Sequence, residues 1–250
     1  DPALAGRLPH RVTNIGAAIE MATVLITGTN RGIGLEFVKK FLQQGDKVIA
    51  TCRDISSASD LQALSNDSAN LKLLELDVND SESLESFPQR LGGEAIDIFI
   101  NNAGVYGPKT TRFGEVDGKL WSEVFQINSI APMLLTQLIV ENLRAGKDKK
   151  LLYVTSKMGS IADNAGGGSY VDRSSKTALN SVVKSLSVDL ADEGFSMAVL
   201  HPGWVLTDMG GPNALIDTNT SGSGMMGVIA SLSQSETGSF FNYDGSIIPW

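Results

Sequence analysis

The stretch that predicts the fold is Thr23-Val24-Leu25-Ile26-Thr27-Gly28-Thr29-Asn30-Arg31-Gly32-Ile33-Gly34. Its first half is a short apolar run rich in β-branched residues, which predicts a buried strand over Thr23–Thr27. Apolar residues then recur at helical spacing from Gly34 to Gln44, so a helix begins where the glycines end. Glycines at such a junction let the backbone turn sharply and leave free amides at the positive helix terminus, where a pyrophosphate binds.

Five more β-rich runs follow, with helical patterns between them. These candidate strands are Lys47–Cys52, Leu71–Glu75, Ile96–Ile100, Leu151–Thr155 and Ser196–His201. The clearest later helical patterns cover about residues 121–143 and 174–191. Strands separated by helices of this length indicate right-handed βαβ units and a parallel sheet that is buried on both faces. We therefore predict a single-domain, Rossmann-like, doubly wound α/β fold.

Two segments of the chain differ from this pattern. Residues 1–20 mix prolines and arginines without periodicity, so we expect an extension outside the fold and a domain over residues 21–250. The remainder of a targeting peptide is the alternative for that segment. Residues 208–235 are rich in Gly, Ser, Asn and Met, with no clear period until about Met225. Their length favours a flap over a ligand site more than an ordinary surface connection.

The composition of the chain excludes several classes of function. A chain of 250 residues with 42% hydrophobic content can bury one substantial core, and its net charge of −8 disfavours a nucleic-acid partner. The single cysteine, Cys52, excludes an internal disulfide and fits a reducing, cytoplasmic compartment. No apolar run approaches the roughly 20 residues that span a bilayer, so we predict no membrane partner. We assign no metal ligands.

Several motifs follow the glycine stretch in order. Asp77-Val78 comes after the third predicted strand, Asn101-Asn102-Ala103-Gly104 after the fourth, and His201-Pro202-Gly203-Trp204-Val205-Leu206-Thr207 at the end of the last. Together with the T-G-x-x-x-G-x-G spacing, they resemble the short-chain dehydrogenase/reductase family over residues 23 to about 210. The segments 201–211 and 240–250 resemble its carbonyl-reductase-like group, which includes C-factor and sniffer.

That resemblance implies a nicotinamide cofactor. The implied binding residues are Gly28, Asn30, Arg31, Gly32, Ile33, Gly34, Arg53, Asp77, Val78, Asn101, Asn102, Ala103, Gly104, Lys176, Pro202, Gly203, Val205 and Thr207. Asp77 matches the acidic position near the adenine, and Thr207 lies near the nicotinamide carboxamide in the family.

The residues themselves favour NADP over NAD. An NAD site places a carboxylate at the end of the second strand, whereas here that strand ends in Arg53, and Arg31 lies in the glycine loop. Two guanidiniums suit a 2′-phosphate because they bind it through paired, charge-assisted hydrogen bonds. A surface pair between Arg53 and the adjacent Asp54 is the alternative.

The resemblance also implies catalytic roles. Asn128 would hold a water and help position Lys176, Ser156 would hydrogen-bond the substrate oxygen, and Lys176 would bind the nicotinamide ribose. Taken one at a time, these residues could equally be a turn asparagine, a strand-end hydroxyl and a solvated helix lysine. In the family, a tyrosine four residues before the lysine gives a proton to the developing alkoxide, which is general acid catalysis.

Asp172 stands at that tyrosine position. Residues four apart share a helix face, so the Asp172 side chain projects beside Lys176, whereas Tyr170 points elsewhere if the helix includes it. We expect the nearby ammonium to lower the pKa of Asp172, leaving it ionised in an ion pair with Lys176. Asp172 is then a substitution in an active enzyme, a native feature of a nucleotide-binding relative without turnover, or a site bypassed by slow water-mediated protonation.

Two functional hypotheses follow. The first is an NADP-dependent oxidoreductase that reduces aldehydes or ketones and is impaired at Asp172. The second is a catalytically inactive NADP-binding regulatory or signalling protein. Met209, Leu215, Ile216, Met225 and Met226 would either line an apolar substrate wall or pack the loop onto the domain. By resemblance, we expect a homodimer through the two long helices around the catalytic segment.

Overall fold

The structure is a computed structural model that describes residues 20–108 and 111–250. Over these residues one parallel sheet has the strand order β3-β2-β1-β4-β5-β6-β7. The strands are β1 (Thr23–Thr27), β2 (Lys47–Cys52), β3 (Leu71–Glu75), β4 (Ile98–Asn101), β5 (Lys150–Val154), β6 (Ser196–His201) and β7 (Ser239–Asn242). The direction of winding reverses between β1 and β4, and this is the switch point where such sheets open a ligand crevice. The predicted doubly wound fold is confirmed.

The helices cover both faces of the sheet. They are α1 (Gly32–Gln43), α2 (Ser59–Asp67), α3 (Ser81–Leu91), α4 (Gly118–Phe125), α5 (Ala131–Leu138), α6 (Val140–Ala145), α7 (Tyr170–Asp189) and α8 (Thr218–Ser231). A π-helical turn, Gln126–Ile130, joins α4 to α5. Short 3₁₀ turns cover Lys157–Gly159, Ala191–Glu193 and Gln234–Glu236.

Alternate side chains of the same strands feed two cores. Val24 and Ile26 of β1 pack towards α1 and α8, whereas Leu25 between them packs with α3, α5 and α7 on the other face. Each is completely buried, and burial of a side chain of this size contributes roughly 1.5–3 kcal/mol. The sheet is therefore buried on both sides, which explains why its strands read as continuous apolar runs rather than as alternating ones.

Four strand predictions match the observed bounds, and the two runs predicted as Ile96–Ile100 and Leu151–Thr155 lie one or two residues from β4 and β5. Strand β7 was not predicted, because only Phe240 and Phe241 in it are apolar and glycines stand close on either side. The predicted helix over 121–143 is in fact interrupted by the π-helical turn between α4 and α5.

Residues 208–235 are only partly a loop. Asp217 caps α8 by accepting a hydrogen bond from the Thr220 amide at 2.7 Å, and the helix packs Met225 and Ile229 into the core against α1. The connection that remains before α8 is short, and a role for it as a flap stays a prediction. The proposed extension lies outside the described residues, apart from Glu20.

Candidate active site

The glycine loop is shaped for a close ligand. Gly28 and Gly32 adopt left-handed φ values of 68° and 57°, which favour glycine. A methyl group at Gly34 would lie 2.1 Å from the carbonyl oxygen of Gly28, so this position also excludes a side chain. Arg31 stands at the N-cap of α1 without a capping hydrogen bond from its side chain. The first turn of α1 therefore keeps amides available to an anion.

The loop after β4 lies directly against the glycine loop. The amides of Asn102 and Ala103 both donate to Oγ1 of Thr27 at 3.0 Å, and Nδ2 of Asn102 donates to the Gly28 oxygen at 2.9 Å. Asn101 ends β4 as a buried residue. These contacts hold the predicted cofactor segments together at the switch point.

Gly104, in the loop after β4, lies next to two of the predicted catalytic residues. A methyl group at Gly104 would lie 3.3 Å from both Oδ1 of Asn128 and Nζ of Lys176. The tertiary structure thus brings the Asn101–Gly104 segment, Asn128 and Lys176 to one place, although 72 positions separate Gly104 from Lys176 (176 − 104).

Asn128 lies in the π-helical turn, a local geometry that often marks functional sites. Its Oδ1 accepts from the Val105 amide at 2.9 Å, and its Nδ2 donates to the Val105 oxygen and to Oγ of Ser175 at 2.8 and 3.0 Å. The side-chain amide therefore fastens the loop after β4 to α7. The water expected at Asn128 stays a prediction.

Ser156 lies just after β5, and Lys176 lies in α7. The Ser156 hydroxyl accepts from the Met158 amide at 3.1 Å and keeps its proton for another acceptor. Nζ of Lys176 donates to the Val154 oxygen at 3.4 Å, and burial lowers the pKa of Lys176 while the Asp172 charge opposes that shift. A methyl group at Gly159 would lie 2.9 Å from the Lys176 backbone, so this glycine allows α7 to approach the 3₁₀ turn that follows β5.

Asp172 differs from its predicted state. It is 2% exposed, and its Oδ2 has no hydrogen-bond partner among the described residues. Loss of water on burial raises the pKa of Asp172 to about 6, and the charges of Lys176 and Arg173 lower it by less. The expectation of a lowered pKa is wrong, because it counted the neighbouring ammonium but not the burial of the carboxyl group.

The expected ion pair is also wrong. Asp172 and Lys176 lie on the same face of α7, but the ammonium extends to the Val154 oxygen rather than to the carboxylate. A lysine side chain is long enough to reach a partner beyond its own helix, so sharing a face did not ensure contact.

The adenosine end keeps two arginines near the surface. Nη1 of Arg31 pairs with Oδ2 of Asp208 at 2.7 Å, and both side chains are largely exposed. Arg53 is exposed and makes no ion pair within the described part of the chain. The Asp54 carboxylate instead accepts from the Ser56 amide and hydroxyl, so the alternative of an Arg53–Asp54 pair is not observed.

The remaining predicted cofactor residues occupy the same edge of the sheet. Oδ1 of Asp77 accepts from the Asn79 amide at 2.9 Å, and a methyl group at Gly32 would lie 3.5 Å from Cγ2 of Thr207. The others are placed as follows: Asn30 is exposed in the loop, Ile33 and Val78 pack against the two cores, Pro202 accepts from Ser221, Gly203 has φ 84°, and Val205 bridges to Ile216.

Comparison with known proteins settles the family. Residues 22–215 match the family model of the short chain dehydrogenases. This chain belongs to the short chain dehydrogenase family. C-signal of Myxococcus xanthus is 45% identical to it over 155 residues, which cover 62% of this chain and 93% of C-signal.

Solved structures of carbonyl reductases share the whole fold. Carbonyl reductase Sniffer of D. melanogaster is 33% identical with a TM-score of 0.86, covering 92% of this chain and 100% of Sniffer. The NADPH-bound carbonyl reductase from chicken fatty liver is 34% identical with a TM-score of 0.85, covering 93% and 100%. The predicted resemblance to the carbonyl-reductase-like group is confirmed.

Tyr170 does not take the place of the family's tyrosine. Helix α7 begins at Tyr170, so this residue is helical and faces away from Lys176. It is 39% exposed and lines a groove of about 450 Å³ on the outer side of α7, together with Arg173 and Thr177.

From the sequence we assigned no role to four polar residues that lie close to the predicted site segments. They are Tyr106, Thr111, Ser169 and His201. Burial lowers the pKa of His201 to about 4, and its Nδ1 has no partner among the described residues. Tyr106 stands two residues after Gly104, and that position alone was a signal that it lies near the site.

Within residues 20–108 and 111–250, every helix is too short or too polar to cross a bilayer. The same residues hold no cluster of three or more His, Cys, Asp and Glu side chains suited to a metal ion.

Proposed function

We propose that this protein is an NADP-dependent oxidoreductase that reduces aldehydes or ketones slowly, because Asp172 occupies the position of the usual proton donor. The observation that carries the proposal is the meeting of Gly104, Asn128 and Lys176 at the switch point of the sheet. The residues present fit a cofactor there, because the first turn of α1 lacks a side-chain cap and has amides to offer to a pyrophosphate.

When bound, NADPH would supply the hydride for the carbonyl carbon, and the protein must deliver a proton to the oxygen. Ser156 has a hydroxyl proton to offer the carbonyl oxygen as a hydrogen bond. Lys176 is held beside Gly104 through the Val154 oxygen, and we expect its ammonium to bind a ribose hydroxyl from there. The carboxyl group of Asp172 is shorter than a phenol and mostly ionised at neutral pH, so it is a poor proton donor.

Preference for NADP is supported at the adenosine end. Arg53 is exposed just after β2 and makes no ion pair with the described residues, so we expect its guanidinium to be available to a 2′-phosphate. Arg31 is the second guanidinium, and a bound phosphate would compete with Asp208 for it. The chicken carbonyl reductase, which is similar over the whole fold, carries NADPH.

A second function has its own support in Asp172. A buried carboxyl group with an unpartnered oxygen, in place of the proton donor, is also what an NADP-binding regulatory protein without turnover would have. Both functions require cofactor binding, so binding alone does not distinguish them.

The distinguishing experiment is NADPH oxidation with a panel of aldehydes and ketones for the parent and Asp172→Tyr. We expect the variant to gain at least about a hundredfold in kcat, given the usual contribution of a general acid. Asp189→Tyr, at an exposed position of the same helix, is the matched control and should stay at the parental rate. If Asp172→Tyr binds NADPH but reduces nothing, the regulatory function is favoured.

Further expectations concern location, assembly and partners. A cytoplasmic location is inferred from the single cysteine, Cys52, and cell fractionation would test it. A homodimer through the long helices is inferred from family resemblance. A small carbonyl or alcohol is the expected substrate, with no nucleic-acid or membrane partner.

A further inference from the structure

One ion pair joins the glycine loop to the segment that follows β6. Nη1 of Arg31 donates to Oδ2 of Asp208 at 2.7 Å, although 177 positions separate the two residues. Arg31 stands at the N-cap of α1, and Asp208 lies in the loop before α8. The predicted cofactor loop is therefore tied by a pair of charges to the loop that leads into α8.

The turn around Asp208 is held by hydrogen bonds of its own. Oγ1 of Thr207 accepts from the Gly210 amide at 3.1 Å, and the Gly211 amide donates to the Thr207 carbonyl oxygen at 2.8 Å. A methyl group at Gly210 would overlap the Val205 oxygen, so a side chain is excluded there. These contacts fix the backbone on both sides of Asp208, and its carboxylate therefore extends from a turn of defined geometry.

The same turn touches the glycine loop at a second place. A methyl group at Gly32 would lie 3.5 Å from Cγ2 of Thr207, which is ordinary van der Waals contact. Among the described residues, Arg31 forms no ion pair with any other carboxylate. The charged part of the contact between the two loops therefore depends on Asp208, and the apolar part depends on Thr207.

Both members of the ion pair are open to a ligand. The side chains of Arg31 and Asp208 are 69% and 76% exposed. An exposed ion pair of this kind is weak, because water and salt screen it. A phosphate group carries more negative charge than a carboxylate and offers more acceptor oxygens, so it competes well for a guanidinium.

A phosphate at Arg31 and the Asp208 carboxylate oppose each other in either of two arrangements. If the phosphate takes the guanidinium, the ion pair with Asp208 is lost. If both anions stay on the five N–H groups of Arg31, two negative charges lie side by side and repel each other. Both arrangements weaken the binding of a cofactor that has a 2′-phosphate and leave the binding of NADH unaffected.

We infer that Asp208 is a specificity-determining residue, which holds the guanidinium of Arg31 in the free protein and releases it when the 2′-phosphate of NADPH binds. This inference rests on the proposed function, in which Arg31 is a ligand of that phosphate. Asp208 therefore lowers the affinity for NADPH but not for NADH. Since binding couplings are reciprocal, phosphate binding also loosens residues 207–211 from the glycine loop.

Cofactor affinity tests the first part of the inference. NADPH and NADH are titrated against the parent, Asp208→Asn and Asp189→Asn, with cofactor fluorescence as the signal. We expect Asp208→Asn to bind NADPH about threefold more tightly and NADH as the parent does, because a charge is removed at nearly constant shape. Asp189→Asn removes the same charge from an exposed position of α7 and should change neither affinity. Equal effects of Asp208→Asn on the two cofactors, or none, would overturn the inference.

A double-mutant cycle shows whether Asp208 acts through Arg31. In the Arg31→Gln background, Asp208→Asn should change NADPH affinity by less than about 1.5-fold, because the guanidinium for which the two anions compete is gone. A gain that persists in full would mean that Asp208 repels the phosphate directly, and displacement from Arg31 would then be wrong.

Hydrogen exchange tests the loosening of the turn without any turnover. The probes are adenosine 2′,5′-bisphosphate, which has the 2′-phosphate but no nicotinamide, and 5′-AMP, which lacks the 2′-phosphate. In the parent, saturating bisphosphate should speed amide exchange in peptides that cover residues 204–217 by about threefold, whereas 5′-AMP should have no effect. In Asp208→Asn the exchange should already be fast in the free protein and should not respond to either probe. Unchanged exchange in the parent at saturating bisphosphate would contradict the release of Asp208.

The outcomes separate this inference from the proposed function. If the parent binds NADPH and Asp208→Asn binds it equally well, Asp208 does not determine specificity, and the oxidoreductase proposal stands. If the parent binds neither NADPH nor the bisphosphate, the proposed function fails and the inference fails with it.

Discussion

At the scale of single residues, the pKa of Asp172 is where the sequence pattern and the folded environment predict opposite shifts. Helical spacing correctly placed it on the face of Lys176, and the helix does include it. The direction of its pKa shift depends on how deeply the folded chain buries the carboxyl group. A sequence pattern reports which charges are near in the chain, but not how much water a side chain loses.

The first prediction concerns the pH dependence of stability. Because the pKa of Asp172 rises from 3.8 to about 6 on folding, the native state holds this proton over the range where the unfolded state has lost it. The free energy of unfolding therefore falls as pH rises from about 4 to about 6, and the penalty at pH 7 is about 3 kcal/mol. The charged and titratable groups that face Asp172 are Lys176, Arg173 and Tyr106.

Asp172→Asn removes this penalty. In urea unfolding, its advantage over the parent should be larger at pH 7 than at pH 5 by about 1 kcal/mol. Asp189→Asn, which changes an exposed residue of the same helix, should show no such difference. An Asp172→Asn advantage that is independent of pH would mean that the carboxyl group keeps its ordinary pKa.

The second prediction concerns the cofactor. Arg53→Asp should weaken NADPH binding far more than NADH binding, by at least about tenfold, because it removes a charge-assisted partner of the 2′-phosphate and adds a repelling charge. Lys39→Asp makes a similar reversal at an exposed position of α1 and should change neither affinity. Fluorescence titration with both cofactors measures the effect, and equal losses for the two would contradict the assignment of Arg53 to the 2′-phosphate.

At the scale of elements, the β1–α1 junction has the tightest packing in the site. The third prediction is that Gly34→Ala costs on the order of 3 kcal/mol of stability and weakens NADPH binding at least about tenfold. The added methyl group would lie 2.1 Å from the Gly28 oxygen and 2.6 Å from Nδ2 of Asn102, so the loop must move.

Gly227→Ala is the control for that change. Gly227 lies within α8, and a methyl group there meets nothing within 4 Å. Alanine should therefore stabilise the helix by up to about 1 kcal/mol and leave NADPH binding unchanged. Thermal unfolding and fluorescence titration compare the two variants, and unaltered NADPH affinity in Gly34→Ala would argue against the loop as the cofactor site.

Two elements show what periodicity misses. Helix α8 contains three glycines and several hydroxyl residues, so its apolar pattern is weak, yet contact with α1 makes it helical. Gly222 allows this approach, since a methyl group there would lie 2.8 Å from the side chains of Glu36 and Lys40. The π-helical turn at Gln126–Ile130 is likewise stabilised by partners from outside, because Asn128 bonds to Val105 and to Ser175.

At the scale of the whole molecule, the fourth prediction concerns assembly. Apolar side chains are exposed on the π-helical turn, on α5 and near the end of α7: Ile130 is 45%, Leu134 40% and Val188 64% exposed. If these faces pair two copies, Leu134→Glu should convert a dimer to a monomer in sedimentation velocity. Leu215→Glu, at a more exposed leucine in the loop before α8, should leave the dimer intact. A parent that sediments as a monomer contradicts the prediction.

Local chemistry was sufficient for the fold class, for four strand bounds, for the glycine loop and for the absence of a tyrosine at position 172. These features depend on the spacing of apolar residues and on the backbone freedom of glycine, both of which are local properties of a chain. The raised pKa of Asp172, the helical state of α8 and the ion pair between Arg31 and Asp208 depend on segments that are distant in sequence. Burial and long-range contact arise only when those segments pack, and no local pattern records them.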